Sequence, residues 1–343
     1  MKKFLLATTF LAATTSLAAA EISMSGDARM GIVQPFDDPT TLQNENDATA
    51  FTSRARVKFT LSGETDGGLS FGASFRANDA SGASKGTNGE VFISGAFGKL
   101  SMGDVDGAAQ QAVGNVDGVG LTGLGDTNEL MFFGGGGFTI TDPLAGGVSF
   151  SNDWQMTGDP TAVYEYTSGG ISVYASATQP SYIDPFGGGP DKGYALGAAY
   201  VMGDYKVSGG YEAIETTAGG SPDGSIYNWV IGADATYGAV VVKARYASAK
   251  FDATGSPMGD LTQYALSATY TTGPVAVTGF ASRKHLDDEL GASLGGTDAF
   301  GIGAAYDLGG GASVNAGYVN SKLDELGTKT TAGAFDLGVS FSF

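Results

Sequence analysis

The chain has 343 residues, 56 of them glycine and none cysteine, with 18 Lys and Arg against 36 Asp and Glu for a formal charge of −18. The lack of cysteine excludes disulfides, thiolate metal centres and cysteine nucleophiles. The acidic excess excludes a nucleic-acid partner, because phosphate binding needs a basic surface.

Residues 1–20, MKKFLLATTFLAATTSLAAA, read as a secretory signal: Lys2 and Lys3 start it, Phe4 to Leu17 form an apolar run, and Ala18–Ala20 a small-residue cleavage site. Cleavage after Ala20 leaves Glu21 first, residues 21–343 as one domain, and a formal charge changed from −18 to −20 by the loss of the two lysines. No later run of about 18 apolar residues exists, so the sequence offers no transmembrane helix.

From EISMSGDARMGIV onward the dominant pattern has period two, which marks strands with one apolar face. In SRARVKFTLSG, Ala55, Val57, Phe59 and Leu61 alternate with Arg54, Arg56, Lys58 and Thr60. In LSFGASFRAN, Phe71, Ala73 and Phe75 alternate with Gly72, Ser74 and Arg76. IYNWVIGADATYG and AVVVKARYAS repeat the pattern, and no stretch of the mature chain reads as helix.

A second regularity overlies the first. Short turns follow aromatics at Tyr166, Tyr200, Tyr237, Tyr270 and Tyr306, with steps of 34, 37, 33 and 36 residues. Such a step suits two strands, a tight turn and a longer loop, so the chain is a string of hairpins. Phe97 and Leu61 extend the series backwards, and 37 residues beyond Tyr306 lies Phe343, the last residue. Eight strands therefore end on the short-turn side and eight run the other way, sixteen in all. Longer polar loops are expected at about 34–51, 79–89, 104–160, 178–192, 213–224, 252–260, 284–297 and 321–330. The third is oversized, because Phe97 and Tyr166 stand 69 residues apart.

Half-apolar strands suit either a soluble sandwich or a membrane barrel. Short turns on one side, long loops on the other and aromatics along the short-turn rim favour an all-β, 16-stranded antiparallel transmembrane barrel. Tyr166, Tyr200, Tyr237, Tyr270, Tyr306 and Phe343 then form a girdle at the membrane interface. Sixteen strands also enclose water, where eight would be filled by their own side chains.

EISMSGDARMGI, SRARVKFTLSGETDGGLSFGASFRA, VFISGAFGKLSMGD and GAAYDLGGGASVNAGYV resemble the general-diffusion porins of Gram-negative outer membranes, above all those of purple photosynthetic alphaproteobacteria. The resemblance runs from Glu21 to Phe343. It implies an outer-membrane homotrimer, surrounded by outer-membrane lipid and lipopolysaccharide, that passively conducts small hydrophilic solutes and ions. It also implies a third external loop, here 104–160, folded into the lumen, whose carboxylates face basic side chains on the wall. The matching acidic residues are Asp104, Asp106, Asp117, Asp126 and Glu129. Those on the wall are Arg29, Arg54, Arg56, Lys58 and Arg76. Within this loop GNVDGVGLTGLG and MFFGGGGFTI depart from an acidic pattern, being glycine-rich and apolar. A terminal aromatic such as Phe343 also resembles the signal read by the barrel assembly machinery.

Opposed charges across a narrow lumen align water and polar solutes and reject apolar ones. Competing chemistry is thinly supported. The single histidine, His285 in SRKHLDDEL, falls at the start of an expected external loop with no marked nucleophile. The glycine clusters lack a strand–helix context for cradling phosphate. GDVDG holds only the first part of a calcium-loop spacing, so Ca2+ bridging the acidic loops is the one cofactor left open and a metal site is otherwise unassigned. A structural or adhesive barrel, or a substrate-selective channel, is the alternative function.

Overall fold

The computed structural model describes residues 20–36, 49–86, 88–133, 161–178, 192–216, 224–253, 258–325 and 328–343. The signal segment up to residue 19, the second half of the third loop (134–160) and several loop tips lie outside the described residues. Sixteen strands follow one another: β1 (Glu21–Phe36), β2 (Ala50–Glu64), β3 (Ser70–Arg76), β4 (Glu90–Gly95), β5 (Gly98–Gly103), β6 (Thr161–Ser168), β7 (Ile171–Thr178), β8 (Lys192–Met202), β9 (Tyr205–Thr216), β10 (Gly224–Tyr237), β11 (Val240–Ala253), β12 (Met258–Thr272), β13 (Val275–Asp288), β14 (Ser293–Gly309), β15 (Ala312–Glu325) and β16 (Thr328–Ser342). Each pairs antiparallel with its chain neighbours, and β1 pairs with both β2 and β16, so the sheet closes on itself.

The alternation seen in the sequence becomes two faces of opposite character. Leu196 exposes 62% of its surface, while Ala195 beside it exposes 2%. Trp229 and Ile231 are likewise exposed and Val230 between them is buried. A sandwich would hide its largest apolar side chains; this wall displays them, as contact with lipid requires. Tyr166, Tyr200, Tyr237, Tyr270, Tyr306 and Phe343 are all exposed, and Tyr205 meets Tyr237 edge-on at 6.0 Å near the short-turn rim.

On that rim β6 and β7 are joined by Gly169 and Gly170, with φ of +59° and +83°. A two-residue hairpin turn of this kind needs positive φ at both positions, which suits glycine. The recurrent aromatics mark these turns to within three residues: β10 ends on Tyr237, β12 two residues after Tyr270, and β2 three residues after Leu61.

Two expectations are corrected. The chain after Glu21 is not free of helix, since α1 (Ala80–Ala83) and α2 (Ala108–Val113) both form, with a 3-10 turn at Ala77–Asp79 between β3 and α1. Six residues are too few to display a 3.6-residue period, but AAQQAV is rich in the best helix former. The late external loops are also shorter than polarity suggested. β13 continues to Asp288 and β14 resumes at Ser293, so most of 284–297 is strand, and β15 and β16 likewise take most of 321–330. Those stretches alternate polar side chains on both faces, which reads as loop although the ladder continues.

The barrel closes between its first and last strands, β1 and β16. Asp27 to Phe36 of β1 pairs in register with Ser342 to Gly333 of β16. At the tip the Phe343 amide donates to the Gly26 carbonyl at 2.9 Å, and Gly26 donates back to Phe343 at 3.2 Å. Deleting Phe343 therefore removes two seam hydrogen bonds and a rim aromatic. The expected outcome is less folded barrel in the membrane with unaltered conductance in the channels that do form; normal membrane levels on a heat-modifiability gel would contradict this.

Candidate functional site: the barrel lumen

The segment after β5 does not stay outside. Asp104 to Phe133 runs along the inner wall from β7 to β1 and back, touching residues that alternate with the exposed apolar ones. It begins with α2, which packs on β7, β8, β9 and β10; the Ala108 amide donates to Ser176 Oγ of β7 at 2.9 Å. Its next stretch crosses β11 and β12, where Arg245 Nε donates to the Gly114 carbonyl at 3.0 Å and Ser267 Oγ accepts from the Asp117 amide at 3.0 Å. The tip reaches the seam. Asp336 Oδ2 of β16 accepts from both the amide and the hydroxyl of Thr122, each at 2.7 Å, and Arg29 of β1 donates to the Leu121 carbonyl at 3.3 Å. One segment can touch this much of a closed cylinder only from inside it.

The return pass is tied to the outgoing one. Asn128 Nδ2 donates to the Val116 carbonyl at 2.7 Å, and the Leu130 amide donates to Asn115 Oδ1 at 2.9 Å. Gln263 of β12 then pairs with both backbone groups of Met131, and Glu212 of β9 takes the Phe133 amide at 3.0 Å and Asn228 Nδ2 at 2.7 Å. These wall side chains satisfy loop backbone that would otherwise be buried without partners.

Packing explains why the loop departs from an acidic composition. Ala108, Ala109, Ala112, Val113, Val116, Val119, Leu124, Leu130 and Phe132 are buried against wall residues such as Ala195, Val230, Phe280 and Val319. Met131 and Phe133 form a second cluster with Leu261 and Leu286. The buried apolar core of the molecule is thus the interface between loop and wall. Close approach requires glycine on the wall: a Cβ at Gly317 would stand 2.4 Å from the Gly120 Cα, and one at Gly197 2.3 Å from the Ala108 carbonyl oxygen.

The five expected basic residues share one inward face of β1–β3. Arg29 stands directly opposite Arg54 in the ladder, and Lys58 opposite Arg76. Like charges so placed repel, and Asp27, which the sequence reading missed, relieves them. Its carboxylate accepts from Arg54 at 3.0 Å and from Arg56 at 2.9 Å. Both ion pairs are partly hydrated, so they add little to stability; their effect is to hold guanidinium groups side by side.

The expected carboxylates divide. Asp104, Asp106 and Asp126 are exposed and Glu129 is half-buried. Enclosure by the wall raises the affinity of Asp104 and Asp106 for protons above that of a free carboxyl, with Asp79 adding to it at Asp104 and Asp104 at Asp106. Glu129 is raised by loss of water and then by Asp126, with Lys284 opposing. Asp117 is brought elsewhere: it pairs with Lys243 at 2.5 Å and accepts from Thr269 at 3.1 Å, on the far side from Arg54 and Arg56. Among the described residues no three His, Cys, Asp or Glu side chains are grouped as a metal site. His285 lies within β13, with Nε2 3.0 Å from Asp287.

Asp336 is fully buried and is the tip's main anchor. Substituting Asp336 by Ala leaves the Thr122 amide and hydroxyl without their acceptor, at a cost of about 1–3 kcal/mol. Open-channel noise should rise and thermal stability fall. Quiet, unchanged current traces would argue against the anchor.

The chain matches the family model described as Gram-negative porin over residues 7–341. It is 34% identical over 340 residues to the porin of Rhodobacter capsulatus, covering 94% of this chain and all of that one. Among solved structures it is similar to a porin at TM-score 0.72 and 31% identity, again over 94% of this chain and 100% of the other. The fold alone is shared with the anion-selective porin of Comamonas acidovorans, at TM-score 0.66 and 15% identity over 95% and 100% of the two chains. A closed sixteen-stranded wall, a lumen crossed by a charged loop and these matches together place the chain in the Gram-negative porin family, the non-enzymatic outer-membrane channels for passive diffusion.

Proposed function

We propose that the channel filters small hydrophilic solutes and ions at a constriction between the arginine wall of β1–β3 and the carboxylates of residues 104–133. One observation carries this reading: among the described residues the loop is packed on the β7–β16 side, and Arg54, Arg56, Lys58 and Arg76 face the lumen away from that packing. Asp104, Asp106 and Asp126 keep exposed side chains, Glu129 is half-buried near Lys284 of the wall, and Asp117 serves as a strut. A field across this gap orders water, and an apolar solute must disturb that order to pass. The opposed Arg29 and Arg54 are costly for stability alone, so a role in permeation accounts for them better than chance hydration does.

We further propose a homotrimer assembled through the low part of the wall. β3, β4 and β5 have 7, 6 and 6 residues, whereas a spanning strand needs about 9–11 at its usual tilt. Their outward side chains Phe71, Val91, Ile93, Leu100 and Met102 are exposed. A neighbouring copy covers that face better than lipid does, and lipid with lipopolysaccharide surrounds the taller wall of β8–β16. Residues 1–20 direct export, and Phe343 is offered to the barrel assembly machinery.

Planar bilayers test the filter. Replacing Arg54, Arg56 and Arg76 together by Gln should shift the reversal potential in a salt gradient toward cation preference; an unmoved potential refutes the wall's role. Conductance should close in steps of three, and a single-step channel would remove the trimer. Acid supplies a second test. Because Asp104, Asp106 and Glu129 hold protons above the ordinary carboxylate range, their negative charge is full well above that range and is lost on descending through it. Cation permeability should therefore decline at a higher pH than free carboxyls would dictate. A decline that begins only near pH 4, the range of an unperturbed carboxyl, would contradict the enclosure of these groups.

A further inference from the structure

The lumen carries a cation that neither the arginine wall nor the loop accounts for. Lys206 is the second residue of β9, next to Tyr205 at the short-turn rim, whereas Arg29 is the ninth residue of β1. Tyr205 and Val207 on either side of it are exposed outward, so alternation turns Lys206 into the barrel. In a closed wall of sixteen strands β9 lies eight strands from β1 in either direction, which sets Lys206 across the lumen from the arginine wall. Asp234 of β10 stands opposite Lys206 on one side and opposite Lys243 of β11 on the other. The third loop passes just beyond this row: a Cβ at Gly232, two residues before Asp234 on β10, would stand 3.0 Å from Val113 of α2. The row therefore lies on the short-turn side of the loop.

The charges in this row do not cancel. Arg245 Nη1 donates to Asp234 at 2.5 Å, and Lys243 Nζ donates to Asp117 at 2.5 Å, so both carboxylates are engaged by other cations. Lys206 feels the attraction of Asp234 and the repulsion of Arg245 and Lys243, and among the described residues it makes no hydrogen bond or ion pair of its own. Three cations thus face two carboxylates. Lys206 is half-buried, and its ammonium is not one of the enclosed polar groups without a partner, so water of the lumen reaches it. Neutralising Asp234 does not explain this lysine, because Arg245 already does so.

We propose that Lys206 is a second anion-contact residue of the permeation path, across the lumen from the arginine wall and on the short-turn side of the loop. A small anion that leaves Arg29 and Arg54 toward that rim meets an ammonium with no committed partner, flanked by Lys243 and Arg245. A cation on the same path finds both nearby carboxylates already occupied. This role rests on the filter proposed above and extends it to the opposite wall.

The test uses the full-length channel in planar bilayers with potassium chloride gradients at low and high salt. Lys206→Gln should lower the permeability of chloride relative to potassium about twofold near about 10 mM salt, the effect of one unit charge felt at roughly 8 Å through water. At about 1 M, where screening leaves a reach of roughly 3 Å, the difference should disappear. Lys206→Arg should keep the unaltered ratio. The chain has no cysteine, so Lys206→Cys offers a single thiol, and an anionic methanethiosulfonate added to open channels should change their current. An unchanged permeability ratio at low salt overturns the proposal. So does a change that persists at high salt, which marks a reshaped pore, and so does a thiol that the reagent does not reach, which places the side chain outside the path. The variant lacking Arg54, Arg56 and Arg76 judges the filter separately. If its reversal potential stays unmoved while Lys206→Gln shifts, the arginine wall alone is removed; the reverse pattern removes Lys206 alone.

Discussion

A polypeptide that crosses lipid must satisfy its own backbone, because the hydrocarbon offers no hydrogen bonds. For strands this means closure. A single unpaired edge would expose a row of amides and carbonyls, each costing several kcal/mol in an apolar medium. The seam between β1 and β16 answers that requirement, and the other features follow from it. Closure by hairpins brings the two chain ends together on one rim. Alternation then assigns every second side chain to lipid and the rest to water. The same geometry that makes the wall apolar outside thus makes the lumen polar, with no separate element devoted to the pore.

A cylinder of this size is wider than its side chains can fill, so the free energy that a soluble domain gains from a central core must come from elsewhere. Here it comes from the third loop. Residues 108–133 bury Val113, Val116, Leu130, Phe132 and Phe133 against a wall that is lined with Gly and Ala where the loop passes. Small wall residues therefore serve two ends. They let the loop lie flat, and among the described residues they keep the loop against the β7–β16 half of the lumen. Arg245 and Asp336 show the polar side of this arrangement. Each is buried, and each bonds loop backbone, Arg245 while also paired with Asp234 and Asp336 while also accepting from the Thr122 hydroxyl.

The wall was legible in the sequence because its signal is repeated. Period-two alternation occurs in strand after strand, and the aromatic before each short turn recurs at a nearly constant step, so local ambiguity averages out. The basic face of β1–β3 was legible for the same reason, since Arg54, Arg56 and Lys58 occupy alternate positions of one strand. What escaped was set by pairing across long separations. Nothing near Asp27 marks it as the partner of Arg54 and Arg56, nor Asp336 as the acceptor for Thr122 on a loop 214 residues away. Asp117 resembled its acidic neighbours in composition, and only the path of the loop assigns it to Lys243. The polar ends of β13–β16 read as loop because strand propensity depends on what each face touches, and these faces meet water or headgroups instead of hydrocarbon.

The net charge of −18 has a spatial meaning that the sum hides. Cations are sorted by the wall. Ten of them line the lumen, where Asp27, Glu90, Asp117 and Asp234 hold several in fixed positions. A few sit outside, above the belt. Charges are felt in water within about a Debye length, roughly 8 Å at physiological salt, so an ion in the lumen meets the lining charges before the distant acidic surface. Which charges line the lumen is therefore a matter of where alternation places each one, inward or outward, and a one-residue slip in register would reverse it at every position of a strand. The seam that satisfies the backbone also fixes that register, so closing the barrel and choosing which charges line its lumen are one structural event.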